Sequence, residues 1–204
     1  MKKLLFLLCL LPLLTGIGRA QDQGARQDIN ISFMGVIQPY VSGSASPFIK
    51  QNSTLGAGLY LGYRYLLTPN GAVEANYSYS HFTNKFTSGF LNQNARIHTG
   101  LQEGTFAYVR TFNFKRFNPF IEGGGGVLIF TPIAAKTTSL DTEETEELSI
   151  LFGGGIAYEL SPSFDLRVQY RGQIFNTTNF DLAQFPLSRR YIVSMPAVGF
   201  AYHF

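Results

Sequence analysis

The sequence has little of what holds most soluble domains together. Its one cysteine, Cys9, lies in a leucine-rich leader. The chain beyond the leader therefore has no disulfide and no thiol chemistry to draw on, even in a compartment that permits disulfides. Charged residues make up 14% of the sequence, well below the roughly 25% usual in soluble domains. Beyond residue 20 no apolar stretch approaches the roughly 20 residues of a membrane-spanning helix. No segment carries a convincing apolar stripe at helical spacing. An excess of one charge is missing too. Removing Lys2, Lys3 and Arg19 from the 16 basic residues leaves 13, equal to the 13 acidic ones. A neutral chain offers no electrostatic case for nucleic acid.

The leader explains those three cations. Met1-Lys2-Lys3 is a basic head, and Leu4 to Leu14 is apolar except for Cys9 and Pro12. Gly18-Arg19-Ala20 then places small residues where a signal peptidase reads. We expect residues 1–20 to be a cleaved signal peptide and 21–204 a single domain. Lipidation at Cys9 would need a small residue before it, and Leu8 stands there.

Aromatic residues and alternation are what the chain does have. It holds 19 Phe and 11 Tyr. Val73, Ala75, Tyr77 and Tyr79 oppose Glu74, Asn76, Ser78 and Ser80. Leu166, Val168 and Tyr170 oppose Asp165, Arg167, Gln169 and Arg171. Residues 55–67 put Leu55, Ala57, Leu59, Leu61, Tyr63, Tyr65 and Leu67 on one face, and Arg64 with several glycines on the other. This is the period of two that marks strands. Further runs at 28–38, 97–112, 119–130, 148–160 and 191–204 bring the count to eight. The phase of 97–112 is ambiguous, because Glu103 and Arg110 fall on opposite faces. Tight turns at Thr68-Pro69-Asn70-Gly71, Asn118-Pro119 and Ser161-Pro162-Ser163 alternate with long polar segments at 39–53, 83–96, 131–147 and 174–190. That order predicts an all-β fold, an eight-stranded antiparallel transmembrane up-and-down β-barrel. Both ends of the chain lie on the short-turn side. Pro196 falls inside the last strand, where we expect a bulge or a local gap in pairing.

The stretches "GLYLGYRYLLTPNGAVEANYSY", "PFIEGGGGVLIFTP", "GGGIAYEL", "LRVQYRG" and "PAVGFAYHF" resemble the small outer-membrane β-barrel domain family, akin to the transmembrane domain of outer-membrane protein A. The likeness runs over the whole chain after residue 20. It implies a closed barrel in the outer membrane of a Gram-negative-type cell, with lipid and lipopolysaccharide as surroundings. It also implies that the alternating C-terminal aromatics, Phe200, Tyr202 and Phe204, serve as a signal to the barrel-assembly machinery.

Strand parity places Arg64, Glu74, Glu122, Glu159, Asp165, Arg167 and Arg171 inside the barrel, joined by Glu103. An eight-stranded barrel has an interior that side chains fill. These charges are therefore expected to form an ion-pair network in a polar, mostly filled lumen. A narrow pathway for ions or small solutes is the alternative. Asp141 to Glu147 holds five acids, which reads as a solvated loop or as a divalent-cation site near lipopolysaccharide phosphates. His81 and His98 flank the second long loop, where some lipid A-modifying barrels keep a catalytic Ser, His and acid. No carboxylate neighbours either histidine in sequence, so an enzyme is not expected. The glycines 123–126 and 153–155 lack the Lys and helix of a phosphate loop and read as barrel curvature. A soluble barrel of the lipocalin type is the rival fold, and it would face its apolar row inward. No cofactor is implied, and a monomer is expected.

Overall fold

A computed structural model describes residues 26–38, 41–42, 49–53, 55–88, 93–133, 145–176 and 190–204. The strands are β1 (Gln27–Val36), β2 (Val41–Ser42), β3 (Ile49–Ser53), β4 (Gly56–Thr68), β5 (Gly71–Ser88), β6 (Gln93–Thr111), β7 (Phe117–Ile133), β8 (Thr145–Ser161), β9 (Phe164–Asn176) and β10 (Arg190–His203). Eight of them close a ring in the order β1-β4-β5-β6-β7-β8-β9-β10, with β10 paired antiparallel to β1. Asp28 pairs with His203, so the first and last barrel strands meet at the short-turn end.

The alternation sorts the faces as a membrane barrel requires. In β1 the residues Ile29, Ile31 and Phe33 are exposed, whereas Asp28, Asn30 and Ser32 are buried. Phe33 is 74% exposed and Phe106 75%, while the Arg171 side chain is fully buried. Large apolar side chains outward and arginine inward rule out the lipocalin arrangement. Near the short-turn end the outward aromatics touch one another. Phe117 meets Tyr158 at 4.9 Å, and Phe164 meets Tyr202 at 5.0 Å. Such rings form an interfacial girdle.

In two places the structure departs from the expectation. First, β5 and β6 pair from Gly71↔Arg110 up to Ser88↔Gln93. Most of the segment read as a loop at 83–96 is thus a continuing hairpin. Second, the first long connection contains β2 and β3, and β3 pairs with the far end of β5. At Pro196, where a bulge or a local gap was expected, the pairing shows the gap and no bulge. The β1–β10 ladder stops at Met34↔Ala197 and resumes in the same register at Ile37↔Ser194, with backbone bonds of 2.8 and 2.9 Å. Backbone groups in an antiparallel strand point to alternate neighbours. Ser194 directs its N–H to β1, so residue 196 does likewise, and proline has no N–H to give. The β9 side loses nothing there, and Pro196↔Tyr170 stays in an unbroken ladder.

The ambiguous phase of β6 is resolved with Glu103 inside and Arg110 outside. Residues 1–25, with the expected signal peptide, lie outside the described residues, as do Asp141 to Glu144 of the acidic run.

Candidate functional site

The lumen is the place where chemistry concentrates, and it is built in layers. At the short-turn end β1, β9 and β10 bring four polar side chains together. Arg167 donates twice to Asp28, Nη1 to Oδ1 at 2.9 Å and Nη2 to Oδ2 at 2.8 Å. His203 Nε2 lies 2.8 Å from Asp165 Oδ2, and its Nδ1 is 3.9 Å from Asp28 Oδ2. The parallel fork of an arginine on a carboxylate is among the stronger charge-assisted contacts.

One layer up, β4 and β5 contribute a second pair. Arg64 Nε donates to Glu74 Oε2 at 2.6 Å. The Tyr60 hydroxyl donates to Glu74 Oε1 at 2.5 Å and sits 2.7 Å from Asn76. One hydroxyl proton cannot serve both. Turning the Asn76 amide lets its Nδ2 donate to Tyr60 and to Glu74 Oε1, each at 2.7 Å. The Arg64 guanidinium also lies 4.9 Å over the Phe120 ring.

The third layer centres on Arg171. Its Nη2 is 2.9 Å from Glu103 Oε1 and 3.1 Å from Thr105 Oγ1, and its Nε is 3.3 Å from Glu122 Oε1. The Thr105 hydroxyl donates in turn to Glu103 Oε1 at 3.1 Å, and Ser78 donates to Glu103 Oε2 at 2.9 Å. The guanidinium lies 4.4 Å from the centroid of Tyr60. Tyr60 thereby joins the second layer to the third. Glycine makes room for this crowding. A Cβ on Gly153 would stand 2.6 Å from Glu122 Oε1.

Two buried apolar clusters flank the Arg64 and Arg171 layers. Toward the long-loop end, Met34, Val36, Phe82, Leu101, Leu128, Phe130, Phe175, Val193 and Met195 form one buried apolar cluster. Below, Ala72, Val109 and Phe120 form a second, with Leu66 against it. The lumen is therefore not polar throughout, as the sequence reading had it. Its outer half is mostly apolar, with Ser80, Thr99, Ser149 and Gln173 buried at the same level. The cause is plain in β1 and β10, where Met34, Val36, Val193 and Met195 occupy inward positions one or two steps beyond the polar ones.

Seven of the eight charges expected in the network stand buried inside: Arg64, Glu74, Glu103, Glu122, Arg167 and Arg171 each lie within ion-pair distance of an opposite charge, and Asp165 lies 2.8 Å from His203. Glu159 is the exception. It has inward parity but is half-buried at the rim, two residues from the β8–β9 turn, and among the described residues it is in no ion pair. The sequence reading missed Asp28, Tyr60, Asn76, Thr105 and His203 as members. Shared parity with Arg64 was the available signal for Tyr60. The alternation of Ile29, Ile31 and Phe33 points Asp28 inward, but its partner lies 139 residues away.

The C-terminal aromatics keep their alternation. Phe200 and Tyr202 are exposed, and Phe204 stacks on Tyr202 at 6.0 Å while its N–H bonds the Gln27 carbonyl at 3.0 Å. The two histidines of the long-loop rim meet other groups among the described residues. His98 Nδ1 bonds Thr83 Oγ1 at 2.8 Å, and His81 lies edge-on to Tyr79 at 4.6 Å. Among the described residues no cluster of three His, Cys, Asp or Glu is arranged to hold a metal.

Comparison with known proteins agrees with this geometry. The family model for the outer membrane protein β-barrel domain matches residues 6–204. No curated protein matches the chain. Among solved structures, outer membrane protein OprG of Pseudomonas aeruginosa is similar with a TM-score of 0.61 at 15% identity, over 89% of this chain and 96% of that one. Neisserial surface protein A (NspA) is similar with a TM-score of 0.60 at 11% identity, over 88% and 98%. At these identities the likeness is one of fold.

Proposed function

The chain belongs to the outer membrane protein β-barrel domain family, and on that premise we propose that it is a non-enzymatic outer-membrane protein acting at the cell surface rather than through its lumen. The observation that supports this reading is the filled interior. Three charged layers and two apolar clusters fill the lumen, and the large side chains Arg167, Arg171 and Tyr60 are fully buried. A barrel filled in this way leaves its outer face as the surface on which to act.

That face is built up. β5 has 18 residues and β6 has 19, whereas about 9–11 tilted residues cross the bilayer. At roughly 3.3 Å per residue and a tilt near 45°, such a strand rises about 40 Å. The outward apolar band of a barrel is about 25 Å tall, so the hairpin stands roughly 15 Å proud of it. β3 and β2 pair onto the hairpin and widen it. Envelope integrity, or contact with lipopolysaccharide or another cell through the segments 39–53, 83–96, 131–147 and 174–190, is the role this shape supports. The signal peptide of residues 1–20 and recognition of Phe200, Tyr202 and Phe204 by the assembly machinery complete the proposal.

Loop replacement tests it. The four outer connections are exchanged for short turns, leaving the lumen intact. The trimmed barrel should still show heat-modifiable gel migration in the outer-membrane fraction. It should lose whatever surface phenotype the full chain confers, read as detergent sensitivity and cell-to-cell adhesion. A trimmed barrel that restores the full phenotype to deleted cells would sink the proposal.

A further inference from the structure

The turn between β6 and β7 differs in chemistry from the other two short turns. Thr68-Pro69-Asn70-Gly71 and Ser161-Pro162-Ser163 carry no charge. Residues 110–117 carry Arg110, Lys115 and Arg116 together with Phe112, Phe114 and Phe117, and all six are exposed. Among the described residues none of these three cations is in an ion pair, whereas every lumen arginine is paired. Such a cluster of unpaired cations invites an anion.

Position says which kind. Phe106, Tyr108 and Arg110 form the outward, lipid-facing row of β6, and Phe112 and Phe114 continue its alternation. Phe117 packs on Tyr158 within the aromatic girdle. The rings therefore meet the membrane boundary from the side, while the cations stand at headgroup level. The turn is also held in shape. Phe114 and Phe117 exchange backbone bonds of 3.1 and 2.9 Å. The Phe114 N–H also lies 3.3 Å from Asn118 Oδ1. Lys115 sits at φ 52°, the left-handed conformation that closes so tight a turn. Thr111 N–H bonds the Asn70 carbonyl at 2.9 Å, which ties this turn to its neighbour.

We propose that residues 110–117 form a binding site for the anionic headgroup of a phospholipid in the periplasmic leaflet. Arg110, Lys115 and Arg116 contact the phosphate, and Phe112, Phe114 and Phe117 seat in the acyl-headgroup boundary. Basic residues beside an apolar anchor attract anionic lipid surfaces in this way. A cell-wall glycan would use the cations but has no need of phenylalanines on the lipid-facing row.

The test uses the whole chain in nanodiscs, where both leaflets have one composition and insertion direction does not matter. Spin-labelled phosphatidylglycerol and phosphatidylcholine report which lipid the protein immobilises. The wild type should prefer phosphatidylglycerol. The triple variant Arg110→Gln, Lys115→Asn, Arg116→Gln should lose most of that preference, about tenfold or more in relative association if each cation acts near the surface. Asparagine tolerates the left-handed conformation, so heat-modifiable migration should be unchanged and serves as the folding control. Absence of a preference in the wild type, or the same preference in a folded triple variant, overturns the proposal. So does cosedimentation with purified peptidoglycan that the triple variant loses while lipid preference persists.

Discussion

Replacing Arg171 by methionine tests the ionic layer most sharply. The side chain is fully buried, as is that of Glu103, and Glu122 is nearly so. Methionine keeps much of the volume and removes the charge. Glu103 and Glu122 then face each other without the cation that stood 2.9 and 3.3 Å from them. Removing one partner of a buried pair typically costs about 3–5 kcal/mol, because the other charge is left uncompensated. The contact with Tyr60 at 4.4 Å is lost as well. At about 1.4 kcal/mol per decade, the folding equilibrium should fall by roughly two to four orders of magnitude. The chain has no tryptophan, so the readout is the folded band in heat-modifiable migration across a urea series in lipid vesicles. The triple variant Arg171→Met, Glu103→Gln, Glu122→Gln separates charge from packing. With all three charges gone it should recover most of the loss, since replacing a whole buried ion group is often close to neutral. A single variant that loses less than about 1 kcal/mol would refute the reasoning. So would a triple variant that loses as much as the single one.

Three further outcomes follow from named contacts. Gly123→Ala and Gly124→Ala should differ sharply, because a Cβ at 123 meets nothing within 4 Å and one at 124 strikes the backbone of Phe106 and Ala107. The same urea series should show the first within about 0.5 kcal/mol of wild type and the second losing about 1–3 kcal/mol or failing to fold. Pro196→Ala supplies the missing N–H opposite Gly35, so amide exchange at Ile37 and Ser194 should slow; unchanged exchange would mean that the proline does not cause the gap. Deleting Phe204 should lower outer-membrane assembly in cells more than it lowers stability in vesicles, and equal assembly would leave the C-terminal aromatic with its stacking on Tyr202 alone.

The barrel wall was legible because outward and inward positions differ in polarity at every second residue. Alternation reports burial, however, and not pairing. Around Asn84, Lys85 and Thr87 the polarity contrast fades where the strand leaves lipid, yet the ladder continues to Ser88. The sequence reading therefore stopped β5 near residue 80. The same rule explains the lumen. Parity placed Arg64, Glu74, Arg167 and Arg171 inside, but their partners depend on register between strands far apart in the chain. Arg167 finds Asp28 only because β9 and β1 both pair with β10. Glu159 shows the converse failure. Its parity is right, but it stands at the rim, where the closed interior has ended. The mostly apolar outer half was also within reach of parity, through Met34, Val36, Val193 and Met195. A few apolar side chains at strand ends do not stand out in composition when the outward row is itself apolar.

The central claim is that the lumen is closed. Planar-bilayer recording of the refolded, heat-modifiable protein addresses it directly. The account predicts no resolved openings at any holding potential, and none after the outer connections are trimmed. Reproducible unitary currents from wild-type protein, altered in size or selectivity by Arg171→Met, would place a conducting path through the ionic layers and contradict it.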